Sequence, residues 1–415
     1  MSNLNVTSDS SIPPVNKLSQ AILPIVALTS FMGTFLVSSV NIALPAIGRD
    51  FQLSPVMLSW VITSFLLSTA LFLFPVGMWA DRTGVKKVYQ AGLIIFTITT
   101  FLIPLSSSGS WLIGLRFVQG IGAAFMNTTG QALLVAAYPP QRRGRVLGIS
   151  VSATYMGLAM GPFVGGYMTQ YAGWTTIFWV SGVLGVAATI VAFRKLGKDV
   201  KEPLVTAPVF NLRVFTHNKM FAFSNIAALI NYTATTTIVF YLSFYLQQVQ
   251  GFLPRVAGLI LVAQPLMMSL FSPLVGRLSD NVQPRYLATA GMAMCSAGLL
   301  AFSFLTETTT SGTVVALLIW EGIGFALFSS PNMNMIMSSV DKRNLAIASG
   351  TAASMRVVGQ IVSLSIVSLL FYLFFGDKLM HEVTNLQFLK AMKWGFTIFA
   401  VLGVSGIYFS FNRHR

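Results

Sequence analysis

Charge is what this chain has least of. Only 9% of its 415 residues are Asp, Glu, Lys or Arg, against about 25% in a soluble domain, so water is not the main solvent for its surface. Carboxylates are the scarcest of these: 11 acids stand against 26 Lys and Arg. A single cysteine, Cys295, excludes an internal disulfide. Three histidines, His217, His381 and His414, fall in loops or the tail, so no metal cluster is expected. No glycine cluster is followed by the Lys-Ser/Thr of a phosphate-binding loop. ATP-driven pumping and soluble enzymology are therefore not expected, nor is any cofactor. The first 17 residues are polar, with no apolar core and no small-residue cleavage site, so the first apolar run reads as a retained anchor.

What is abundant is apolar sequence. Hydrophobic residues make up 54% of the chain, and the mean hydropathy is +0.73. In lipid every backbone polar group must be paired within its segment, and runs of about 20 apolar residues mean helices. The pattern is not the ten-residue alternation of a barrel. Hydropathy places twelve spans at 20–44, 56–79, 87–106, 111–137, 146–171, 175–194, 220–248, 255–275, 285–305, 313–338, 345–375 and 389–411. The net charge of +15 does not point to nucleic acid, because the basic residues gather in short loops and tails. With the N-terminus inside, nineteen Lys and Arg fall on the cytoplasmic side and five outside, counting those at span ends with the adjoining loop; only Arg116 and Arg356 lie deeper inside the apolar spans. Such a bias places both termini in the cytoplasm.

The two halves repeat each other. Gly77 and Asp81 after Pro75 recur as Gly276 and Asp280 after Pro273. Gln119-Gly-Ile-Gly122 recurs as Glu321-Gly-Ile-Gly324, and the same offset of 202 carries Gly148 and Gly157 onto Gly350 and Gly359. Matched parts in one order, six spans apart, indicate a parallel repeat. The expected organisation is a tail over 1–19, a six-helix half over 20–194, a basic linker over 195–219 broken by Pro203 and Pro208, a second half over 220–411 and a tail over 412–415.

Five stretches carry a family resemblance. They are Asn41-Ile-Ala-Leu-Pro45, the charged turn from Gly77 to Lys87, Arg116-Phe-Val-Gln-Gly120, the glycine-rich Gly157–Gly166, and Phe328-Ser-Ser-Pro-Asn-Met-Asn334 with Ala348-Ser-Gly350 and Arg356. In this order they resemble the drug:proton antiporters of the major facilitator superfamily, and the last resembles its fourteen-helix branch. That branch carries two more spans between the halves, and the roughly 25 residues after Arg194 are too few for two crossings of about 20 each. The acid that such antiporters place in span one is replaced here by Leu36. The resemblance implies an all-α integral membrane fold of twelve helices in two parallel-repeat halves.

The same resemblance assigns roles. Gly77, Asp81, Arg82, Gly84 and Lys86, with Asp280 as a weaker copy, would form a cytoplasmic gate. Gly157, Gly161, Pro162, Gly165 and Gly166 would seal the central path against proton leak; small residues four apart also let helices approach closely in any membrane bundle. Spans one, four, seven and ten would line the cavity. Candidates there are Phe35, Asn41, Phe125, Met126, Asn127, Gln131, Asn231, Tyr232, Phe240, Phe244, Asn332 and Asn334. Sparse polar groups among large apolar ones suit an amphiphile better than a sugar, although each residue reads more readily as core than as ligand.

Among the ionisable residues, Glu321 stands out as the acid well inside an apolar span. An ionised, unpaired carboxylate there costs several kcal/mol, which suits a group that takes and gives a proton. The other reading is a glutamate that faces headgroups or bonds a neighbouring helix near the outer end of span ten. Arg116 is expected to pair with Glu321 or tune it across the cavity, or else to snorkel to headgroups. Arg356 is expected to be a buried inter-helix partner rather than a substrate ligand. Together these residues point to a proton-coupled exporter of hydrophobic or amphiphilic molecules, a monomer in the cell membrane, with bilayer, substrate and protons as its partners. A lipid or glycolipid exporter, and a non-transporting sensor or scaffold on the same fold, are the alternatives.

Overall fold

In the computed structural model, residues 17–138, 140–196, 218–340 and 345–413 are described. They form fourteen α-helices: α1 Lys17–Phe51, α2 Pro55–Thr83, α3 Val85–Leu102, α4 Gly109–Ala137, α5 Pro140–Ala172 and α6 Thr175–Lys195 in the first half. The second half has α7 Lys219–Thr235, α8 Ile238–Phe244, α9 Pro254–Leu261, α10 Ala263–Asn281, α11 Pro284–Phe302, α12 Ser311–Ser338, α13 Leu345–Phe375 and α14 Asn385–Phe411. Span seven is α7 and α8 with a π turn over Tyr245–Val249, and span eight is α9 and α10, so fourteen helices make twelve crossings.

Local sequence explains the breaks. After Tyr232 the run Thr-Ala-Thr-Thr-Thr turns hydroxyls back onto the helix: Thr233 Oγ1 donates to the Leu229 carbonyl at 2.8 Å and Thr235 Oγ1 to Asn231 at 2.9 Å. Such back-bonding bends helices, and α7 gives way to α8 there. Gly84, at φ 102°, makes the sharp turn from α2 to α3, a conformation that costs glycine little. Ser54, Ser108, Asn218, Thr310 and Thr384 cap the helices that follow them.

Ten of the crossings are long and apolar enough to span a bilayer unaided. The other two are α4, which carries Arg116, Gln119, Asn127 and Gln131, and the 19-residue α11. Both are shielded by neighbours, α4 by α2 and α3 and α11 by α12 and α14.

The internal repeat is a repeat of packing. A Cβ on Gly92 of α3 would lie 3.0 Å from the Gly122 carbonyl of α4, and one on Gly291 of α11 would lie 2.6 Å from the Gly324 carbonyl of α12. Gly157 seats α5 on α1 against Phe35, and Gly359 seats α13 on α7 against Leu229 and Tyr232. The halves meet through α5 with α9 and α10, α2 with α13, and α1 with α8. Of the expected organisation, most of the linker and parts of both tails lie outside the described residues.

Candidate functional site

Glu321 lies midway along α12 and is fully buried. Its Oε1 sits where α11 carries Gly298: a Cβ there would be 2.5 Å from it. Among the described residues neither carboxyl oxygen meets a nitrogen or oxygen donor, and the polar neighbour is the thiol of Cys295, which also faces Asn231. Asn231 turns its amide onto Met292 Sδ at 3.3 Å. On the other side Cys295 packs with Met268 and Phe325, against Tyr155, Leu158 and Tyr232. One layer of side chains thus stands between Glu321 and the surface shared by the two halves.

The pairing expected between Arg116 and Glu321 is not made. Arg116 is fully buried inside the first half, where Nε donates to the Val61 carbonyl at 3.1 Å and a terminal nitrogen to Gln119 Oε1 at 2.6 Å. Its guanidinium lies 4.5 Å from the centre of the Phe65 ring, and Gln119 in turn donates to Thr100. Neither cavity tuning nor snorkelling describes it: it is an internal tie between α4, α2 and α3. By the repeat, Gln119 corresponds to Glu321 and Arg116 to Leu318. The second half has therefore exchanged a neutral amide with its arginine for a carboxyl without one.

Several cavity candidates are core. Phe240 and Phe244 belong to an aromatic cluster with Tyr241, Phe371 and Phe388. Phe125 packs edge-on to Trp79, Phe35 stacks on Phe31, and Met126 and Asn231 are buried. Asn332 is buried and accepts from Arg413 at 2.6 Å. Asn41 bonds its own helix through Val37. Asn127, Gln131 and Asn334 are exposed and Tyr232 half-buried, with Gln131 donating to Ser150 at 3.2 Å. Polar groups exposed within spans face a water-filled path in membrane bundles.

Arg356 is the clearest correction. It was expected to be buried between helices, and it is exposed. Buried-partner logic failed because of helix phase: Gly359, one turn further along α13, is the residue that packs on Leu229 and Tyr232 of α7, while Arg356 stays open beside that contact.

The glycine motif of α5 is a packing surface on two sides. Gly157, Gly161 and Gly165 meet α1 at Thr34, Ser38 and Ser39. Three α1 hydroxyls donate to α5 carbonyls: Thr34 to Thr154 at 2.9 Å, Ser38 to Leu158 at 3.0 Å and Ser39 to Gly161 at 3.0 Å. Pro162 has no N–H, so the Leu158 carbonyl lacks its helical donor, and Ser38 supplies one. On the other face Gly166 meets Pro254, and Gly258 meets Pro162, across the two halves.

Those contacts belong to one end of the bundle, the end away from the chain termini. There Ser243 Oγ donates to the Asn41 carbonyl at 2.7 Å, Gln247 to the Ile42 carbonyl at 2.9 Å, and the Met380 N–H to the Leu53 carbonyl at 3.1 Å. Ser59 and Ser368 bond across the same cleft, and the Arg255 N–H reaches Gln170 at 3.3 Å. This end is sealed. At the opposite end lie Gly77, the exposed Arg82, Gly84 and Lys86; the side chains of Asp81 and Asp280, which the gate expectation needs, lie outside the described residues.

Sequence reasoning passed over Cys295, Tyr155 and Arg413. Arg413 is read as tail, yet it is buried against Asn332 and Ser224; only its position two residues beyond an apolar run could have flagged it.

Relatives agree with this architecture. The chain is 26% identical to the riboflavin transporter RibZ of Clostridioides difficile, over 80% of this chain and 86% of that protein. It is also 26% identical to the multidrug resistance protein Stp of Mycobacterium tuberculosis, over 79% and 71%. A bacterial homologue of the human lysosomal transporter Spinster, solved in an inward-facing conformation, superposes with a TM-score of 0.76 at 18% identity, covering 95% of this chain and 97% of that one. Residues 26–364 match the Major Facilitator Superfamily. This multi-pass membrane chain belongs to that superfamily of transporters.

Proposed function

We propose that the chain is a proton-coupled exporter of hydrophobic or amphiphilic small molecules that works by alternating access, as a monomer in the cell membrane with both termini cytoplasmic. The observation that carries this reading is Glu321: a carboxyl fully enclosed between α11 and α12, with no cation beside it among the described residues, one side-chain layer from the cleft. A carboxyl so placed is stable with its proton and costly without it. Release of that proton therefore needs a change in its surroundings, which the opening of one end supplies. The sealed end is the external one on this orientation, so the conformation described is open to the cytoplasm. A relative named as a tetracenomycin C resistance and export protein, and the multidrug resistance protein Stp, support the direction of transport.

The experiment is accumulation of amphiphilic dyes in inverted vesicles under an imposed pH gradient. Glu321→Gln keeps shape and hydrogen-bonding capacity but holds no exchangeable charge. It is expected to abolish gradient-driven accumulation while leaving counterflow exchange of bound dye. Accumulation by the Gln variant at the wild-type level would assign Glu321 a purely structural role.

A further inference from the structure

We infer that the central cleft recognises an anionic head group through Arg356, so that the transported class is amphiphilic acids rather than amphiphilic cations. The inference rests on the carrier reading above and deepens its substrate class, but it does not depend on proton coupling. It starts from helix phase. On α13 the exposed apolar residues Val358, Val362, Leu369 and Leu373 form one stripe. At about 100° per residue, Arg356 lies about 200° from Val358, on the opposite face. The apolar stripe suits lipid; the opposite face meets the cleft.

What surrounds Arg356 is a built recognition surface. Gly359, one turn after Arg356, packs α13 against Tyr232 of α7, and Tyr155 of α5 joins Tyr232 on the same apolar cluster, so both halves contribute. Beneath them the ring of Phe325 meets Tyr232 edge-on at 5.6 Å, and Met268 continues the apolar wall. These groups give one cation, hydroxyls able to donate to an anion, and an aromatic floor for an apolar body.

Among the described residues no carboxylate answers the charge. Among the described residues Arg356 makes no ion pair, and Glu321, the nearest candidate in kind, is enclosed on the far side of Cys295. Leu36, where an acid would favour cations, is buried and apolar. A guanidinium in a cleft walled by apolar helices is screened less than one in bulk water, so it attracts a ligand that brings its own negative charge and repels a cationic one. The planar fork of Arg fits a carboxylate or phosphonate through two parallel bonds.

The test is binding by the purified full-length protein in detergent, with one naphthyl body carrying different heads. The probes are 1-naphthaleneacetate and 1-naphthylmethylphosphonate as anions, 1-naphthaleneacetamide as neutral, and 1-naphthylmethylammonium as cation. Equilibrium dialysis is expected to give the anions at least tenfold lower Kd than the amide, with the ammonium weakest. Arg356→Gln is expected to equalise anion and amide, and Arg356→Lys to keep anions ahead of the amide by a smaller factor, since it holds the charge without the fork. A wild-type protein that binds the ammonium as well as the acetate, or an Arg356→Gln variant that keeps the preference, overturns the inference. If the Gln variant does not fold, the wild-type ranking and the Lys variant still decide. Because dialysis involves no gradient, this test can fail while Glu321-dependent accumulation stands, and the reverse.

Discussion

Adding one methyl group at Gly258 should change which end of the carrier is open. A Cβ there would fall on the carbonyl oxygen of Pro162 and 2.8 Å from its carbonyl carbon. Both are backbone atoms of a helix held to α1 by three hydroxyl bonds, so no rotamer change relieves the contact. Overpacking of this kind costs about 1–3 kcal/mol. The strain exists only while α9 lies on α5, that is, while the distal end is sealed. It therefore acts as a bias between conformations, and 1–3 kcal/mol is about 5- to 150-fold in their ratio.

Spin labels on Ala172 and Leu253, both exposed at the sealed end, would report the ratio through the distance between them; the buried Cys295 stays in place. Gly258→Ala is expected to enlarge the long-distance population by that factor and to slow exchange through the sealed state. Gly161→Ala is the control, since a Cβ there would lie 3.1 Å from the Ser39 nitrogen of α1, within one half. It should lower Tm without shifting the distances. A wild-type distance distribution in Gly258→Ala would refute the claim that this contact closes the distal end.

Other substitutions probe the remaining parts. Ser243→Ala removes the donor to the Asn41 carbonyl, whose helical donor is missing because residue 45 is proline; the same labels should show a shift toward distal opening worth about 1–3 kcal/mol. Arg413→Ala leaves Asn332 Oδ1 without its 2.6 Å partner and should destabilise the second half by about 1.5–3 kcal/mol, read as a lower Tm with dye binding retained. Glu321→Gln should behave oppositely to both, holding Tm while gradient-driven accumulation is lost.

The spans and the repeat were legible because hydropathy and glycine spacing report directly on lipid contact and close helix approach. Ends were less so. α1 continues to Phe51 rather than stopping near residue 44, since Asp50 finds a partner in Trp174 Nε1 at 2.6 Å and need not leave the helix. Phe240 and Phe244 are core, as the sequence favoured, but sequence alone left the cavity open because an aromatic residue gives the same composition signal in either. Arg356 was legible in part: its position in a span was plain, but its exposure follows from the phase of α13 against α7, which needs the packing. Arg116 and Glu321 looked complementary in sequence, yet each is buried within its own half.

The prolines explain how one chain can hold some contacts and break others. Pro162 frees the Leu158 carbonyl, and Ser38 of the same half takes it. Pro45 frees the Asn41 carbonyl, and Ser243 of the other half takes it. The two bonds are alike in chemistry and in length, 3.0 and 2.7 Å, but not in consequence. The first survives any movement of one half against the other and makes α1 and α5 a rigid pair. The second must break whenever the distal end opens, and opening then exposes the freed carbonyl to water, which can replace the hydroxyl at small net cost. A proline placed where water can arrive thus makes a seal that opens and recloses cheaply, and one placed where water is excluded makes a permanent joint. The neighbouring Ile42–Gln247 bond lies at the same end of the bundle, so the polar contacts that the transport cycle must exchange are gathered where solvent can reach them.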